Sequence, residues 1–160
     1  MNNVNITEIY KKLNWNSSFG EQLEGIKIAR NLDDLSLLIL PYADGESKNV
    51  WENCARALYE ISDERLEKYV PELLEWLEDL NWPGALIILD RLKLFSGEKL
   101  EKPFVDRFTY ARNLNNEEGL MWLDYLSELL DNEGLKEKLP KSIIEKLQKH
   151  YKNWGFWYGD

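Results

Sequence analysis

A chain of 160 residues, 44% hydrophobic and 12% aromatic, is long enough for one domain with a real core and too apolar for a disordered segment. Residues 1–80 hold 8 Lys and Arg against 16 Asp and Glu, and residues 81–160 hold 12 against 13, so nearly all of the net charge of −9 lies in the first half. That half suits a basic partner and is a poor surface for phosphates, no apolar run nears the ~20 residues of a membrane span, and the one cysteine, Cys54, can form no internal disulfide. Residues 1–8 lack the basic-then-apolar pattern of an export signal, so the cytoplasm is the expected compartment.

In chain order, residues 5–13 read as a short helix with Asn5 and Glu8 in a capping-box arrangement. A second helix is expected from about Ser17 to Asn31, with Phe19, Leu23, Ile26 and Ala29 as its apolar positions and Gly25 as an internal cost. Asp33 and Asp34 are expected to open a helix ending near Pro41, and residues 42–47 form a turn around Asp44-Gly45. Helix 47–61 presents Val50, Cys54, Leu58 and Ile61 on one face. Ser62 to Glu64 cap a helix that continues into Val70-Pro71-Glu72-Leu73-Leu74. There Leu73, Trp76, Leu77 and Leu80 share one face, and after a tight corner Ala85, Ile88, Leu89, Leu92 and Phe95 repeat the spacing. Asn81 is expected to cap this second helix, with Pro83 in its first turn and Asp79 contributing to the cap. Helices 98–112, 117–130 and about 141–153 follow, the last with Ile143, Leu147, Tyr151 and Trp154 in register. No stretch alternates with period two for long, so essentially no sheet is expected.

The helices recur in pairs. Second members begin near residues 17, 47, 83 and 117, and Leu13-Asn14-Trp15 returns as Leu80-Asn81-Trp82 two intervals later. A helical pair every 30–40 residues marks an α-solenoid, in which each hairpin buries its apolar stripe only against its neighbours. The expected fold is all-α: one domain over residues 1–160, a right-handed stack of about four hairpins plus a closing C-terminal helix.

Residues 70–86 resemble a HEAT repeat: a helix, a corner containing Asp79, and a second helix with small residues. More narrowly, Glu75-Trp76-Leu77-Glu78-Asp79-Leu80-Asn81-Trp82-Pro83-Gly84-Ala85 resembles the motif of a family of small, uncharacterised bacterial HEAT-like proteins. Residues 120–123 and the segments around Lys48–Ala55 and Ser62–Glu64 are similar to other parts of that family, and the resemblance covers roughly residues 13–130. It implies an immunity or interaction role, because such proteins resemble ones found beside bacterial toxin genes.

Residues that announce chemistry are scarce. One His and one Cys lie 96 positions apart, no calcium loop or phosphate-binding glycine loop is present, and no nucleophile elbow appears, so neither catalysis, cofactor nor metal is expected. Cys54 reads as a small core residue and His150 as a packing residue at the edge of the last apolar stripe. The carboxylates Glu75, Glu78 and Asp79, and Glu117 with Glu118, read as acidic surface. Trp76 and Trp82 read as packing between repeats. Trp51, and Trp122 with Tyr125 and Leu129, form second apolar stripes that suit either the core or contacts on a concave face. A protein partner is expected on Trp51, Glu52, Arg56, Asp90, Glu118, Trp122 and Tyr125, most concretely a basic toxin domain. The other readings are a general interaction adaptor and, by fold analogy, a DNA-binding or glycosylase-type protein, for which Lys141, Lys146, Lys149 and Lys152 form the one basic cluster. The aromatic tail from Trp154 to Asp160 is expected to fold back as a cap or to dock on a partner.

Overall fold

Helix follows helix along the whole computed structural model, which describes residues 5–41 and 48–157, with side chains to His150. The helices are α1 (Ile6–Leu13), α2 (Phe19–Ala29), α3 (Lys48–Tyr59), α4 (Asp63–Leu66), α5 (Val70–Glu75), α6 (Ala85–Lys93), α7 (Gly97–Leu114), α8 (Glu117–Ser127), α9 (Glu133–Lys138) and α10 (Lys141–Trp157). Tight 3-10 turns extend three of them, at Glu67–Tyr69, Trp76–Glu78 and Glu128–Asp131, and a separate one stands at Leu35–Leu38. Among the described residues there is no strand, and no helix is long and apolar enough to cross a membrane. The turn expected over residues 42–47 and the docking of the aromatic tail lie outside what is described.

Side-chain caps explain where most helices begin. Asn5, Ser18, Ser62, Ser96, Asn116 and Asn132 each accept a hydrogen bond from a backbone N–H two or three residues on, satisfying a donor the first turn leaves orphaned. The helix expected from Asp33-Asp34 to Pro41 is not formed as such. Asp34 Oδ1 accepts from Ser36 N at 3.0 Å, but only the turn Leu35–Leu38 follows, and Leu40 takes a left-handed φ of 45°. Pro41 disfavours the helical region for the residue before it, so no helix runs on to residue 41.

The helices pack in chain order. α1 lies on α2, α2 on α3 and α3 on α6; α5 lies on α7, α7 on both α8 and α9, and α8 on α10. One apolar cluster runs through these contacts from Ile9 to Leu147, and Leu73, Leu77, Ile88 and Leu92 lie in it as their spacing requires. Phe19 and Leu23 do not: α2 turns them outward and buries Gly25 and Ala29 instead.

Three buried polar side chains tie successive hairpins together. Asn53 Nδ2 donates to Leu13 O (2.7 Å), and Asn132 Nδ2 donates to Leu92 O and Phe95 O (3.0 and 2.9 Å). Arg91, 7% exposed, donates to Ile61 O (2.8 Å) and pairs with Asp63, whose other oxygen accepts from Ser96 N (3.0 Å). These bonds give the buried amides and the guanidinium the partners that polar groups in a core require. Burial also pushes the Cys54 thiol well above the usual range, so it stays protonated and acts as a small apolar residue, as its helical position suggests.

Candidate functional site

The corner between α5 and α6, the most distinctive stretch of the sequence, is built on tryptophan. Trp76 is fully buried and donates its indole N–H to Pro83 O (3.0 Å), closing the corner on itself. Trp51 of α3 meets Trp76 edge-on at 6.2 Å and Trp82 edge-on at 5.7 Å, within the range where aromatic pairs attract. Lys48 Nζ sits 5.6 Å from the Trp51 ring centre and 6.0 Å from that of Trp82.

The corner's backbone differs from the expected cap. Asn81 does not start the helix. Instead Asp79 Oδ1 accepts from Asn81 N (2.8 Å) and Asp79 O accepts from Trp82 N (3.0 Å), and α6 begins only at Ala85 after Gly84 at φ +83°. A Cβ on Gly84 would lie 2.8 Å from both Ala55 Cβ and Trp51 O. The close approach of α3 therefore requires glycine in a left-handed conformation, which leaves Pro83 outside the helix.

On this packed base stand carboxylates from two hairpins. Glu75 is held by Arg107 Nη2 at 3.1 Å. Glu78 binds its proton more tightly than an ordinary glutamate, first because it is partly removed from water, then because Glu75 and Glu118 face it, with Arg107 opposing. Glu118, on the first turn of α8, thus joins two residues forty positions earlier in the chain. Among the described residues no three His, Cys, Asp or Glu are arranged to hold a metal ion.

Because Glu78's affinity for its proton is raised in the fold, its contribution to stability is present at low pH and lost as pH rises through the carboxylate range. Glu78→Gln should therefore be slightly more stable than the parent at pH 7, by about 0.5 kcal/mol at most, as exposed charges are worth. Urea denaturation at pH 7 and near pH 4 checks this: the gain should fade at the lower pH, and a loss of stability at pH 7 would contradict it.

The residues expected to contact a partner divide into two groups. Glu118, Arg56 and Asp90 are exposed and Glu52 and Tyr125 are half-buried. Trp51 and Trp122 are 5% and 2% exposed, which corrects any reading of them as surface anchors. Their indole N–H groups donate to Pro41 O (2.8 Å) and Leu74 O (3.1 Å), and the Trp122 ring meets Tyr110 edge-on at 5.9 Å. Both rings are consumed by packing between hairpins. Trp51 and Glu118 belong to the corner and its acidic cluster; Arg56 and Asp90 lie on α3 and α6, which pack together. Arg107 was not singled out by its spacing, since only folding brings α7 to α5.

An all-helical protein with a tryptophan-based corner carrying crowded carboxylates is the class this arrangement defines. The chain belongs to the family described as a domain of unknown function, DUF5071, which matches residues 52–156 and so includes the corner and every carboxylate named around it. No curated protein and no solved structure matches the chain.

Proposed function

We propose that the chain is a non-enzymatic protein-binding module of HEAT-like α-solenoid form, working in the cytoplasm, and most concretely an immunity protein that neutralises a basic bacterial toxin. The observation that carries this reading is that Glu75 and Glu118 both face Glu78, with Arg107 paired to Glu75 beside them. Like charges drawn together oppose folding, and a basic partner relieves that opposition. The acidic first half of the chain extends the same field and favours rapid encounter with a cationic surface. The solenoid reading is supported by α2, α3 and α6 stacking in order, by α5, α7 and α9 doing the same, and by N-caps at Ser62, Ser96 and Asn132, 34 and 36 residues apart.

The test is co-expression with the product of the adjacent gene, followed by binding kinetics at low and high salt. Relief of growth inhibition and a salt-sensitive complex are expected. Glu78→Lys combined with Glu118→Lys should slow association by about tenfold at low salt and flatten its salt dependence, since exposed charges act chiefly on the association rate. Absence of both complex and rescue overturns the immunity reading, and capture of a housekeeping protein in its place favours the adaptor reading.

A further inference from the structure

A second feature lies where the C-terminal end of α7, the first turns of α8 and the middle of α10 enclose a half-open cleft of about 480 Å³. Its floor is apolar: Phe108 and Ala111 from α7, Leu123 from α8 and Leu147 from α10 are buried, and Leu120 is partly uncovered within it. All its ionisable lining groups are basic. Arg112 comes from α7, and Lys146, Lys149 and His150 come from α10 at the i, i+3, i+4 spacing that puts them on one helical face. Among the described residues no carboxylate lines the cleft, although the chain carries nine more acidic than basic residues; Asp124 of α8 interacts with His150 without being a lining residue. Glu118 interacts with Glu78 and is not among the lining residues.

The cations are placed rather than merely present. The Arg112 guanidinium lies 5.8 Å from the Phe108 ring centre, so its stem follows the apolar floor. His150 Nε2 donates to Leu120 O (3.0 Å), tying α10 to the cleft wall. Among the described residues Arg112, Lys146 and Lys149 are in no ion pair. Asn115, in a left-handed conformation with φ 51°, and Asn116 bring two side-chain amides to the rim.

We propose that this cleft binds a small organic anion, an apolar ring-sized body bearing a phosphate or carboxylate group. The volume lies within the range of small-molecule sites, the floor matches an apolar body, and cations from two helices converge where its charge would sit. A bare inorganic anion would leave the floor unused, and a neutral ring would leave Arg112, Lys146 and Lys149 unanswered.

The test is a titration of the full chain followed by backbone amide chemical shifts, with phenyl phosphate, benzoate, inorganic phosphate and benzyl alcohol as probes. Saturable shifts confined to residues 108–123 and 146–150 are expected for phenyl phosphate, benzoate or both, the better one identifying the anionic group. Inorganic phosphate and benzyl alcohol should bind about tenfold more weakly, each lacking one half of the interaction. Arg112→Gln and Lys149→Gln, both at exposed positions, should each weaken the preferred probe by about tenfold while leaving the other amide shifts in place. The proposal is overturned if neither organic anion saturates by about 10 mM, if benzyl alcohol binds as well as the anions, or if both variants bind like the parent. Tighter binding of a single-stranded oligonucleotide than of phenyl phosphate, weakened by the same two variants, would overturn it in favour of a nucleic-acid surface.

Discussion

Alanine at Gly97 is expected to destabilise the fold by about 3 kcal/mol or more, whereas alanine at Gly134, its neighbour across the same crossing, should change stability by less than about 1 kcal/mol. Gly97 opens α7 directly after its cap Ser96, and α9 passes over it. A Cβ on Gly97 would lie 2.1 Å from both Gly134 C and Leu135 N, which are backbone atoms with no rotamer to yield. Relief requires moving α9, and α9 is held by Asn132, whose side chain also bonds Leu92 O and Phe95 O. Strain at Gly97 therefore reaches the end of α6 as well. On Gly134 the nearest atoms to an added Cβ are at 3.5 Å, ordinary contact, and the substitution also removes some freedom from the unfolded chain. Urea midpoints for the two variants, compared at equal m-values, check the contrast. Equal stability of the two variants would mean that the α7–α9 crossing can loosen at little cost.

Trp122→Ala is expected to cost about 3–5 kcal/mol, a large share of the 5–15 kcal/mol that holds a typical domain together. The ring is 2% exposed and spans from α8 to the carbonyl of Leu74, with Tyr110 of α7 against it. Removing it opens a cavity where α5, α7 and α8 meet and also forfeits the bond to Leu74 O. Trp122→Phe, which keeps most of the apolar contact but not the N–H donor, should cost markedly less. Thermal or urea unfolding of both variants decides the point, and an alanine variant as stable as the parent would show the site to be free to collapse. A loss of partner binding in Trp122→Ala therefore measures unfolding, so the acidic residues Glu78 and Glu118 are the informative positions for the interface.

Periodicity and caps were enough to read most of the helices. Leu73, Leu77, Ile88 and Leu92 follow one face in the sequence and lie in the core, and Ser62 starts a helix as a small polar residue should. These are local matters, decided by groups within one or two turns of each other. Trp51 and Trp122 were open between core and surface because a large amphipathic ring suits both, and one helix seen alone does not show what covers it.

The sequence by itself determined an all-helical chain, the apolar face of most of its helices and the acidity of its first half. Only the tertiary structure decided the rest, because the deciding neighbours are thirty or more residues away. The backbone of α3 pressing on Gly84 moved the start of α6 from Asn81 to Ala85. The crossing of α7 and α9 made Gly97 irreplaceable where its position in a helix would have favoured alanine. The packing of α7 against α5 and of α8 against the Trp76–Glu78 turn brought Arg107 and Glu118 to Glu75 and Glu78, from more than thirty and about forty positions away. The cleft between α7, α8 and α10 arose in the same way: Lys146 and Lys149 belong to a basic cluster within one helix, and Arg112 joins them only when two helices place them on the same apolar floor.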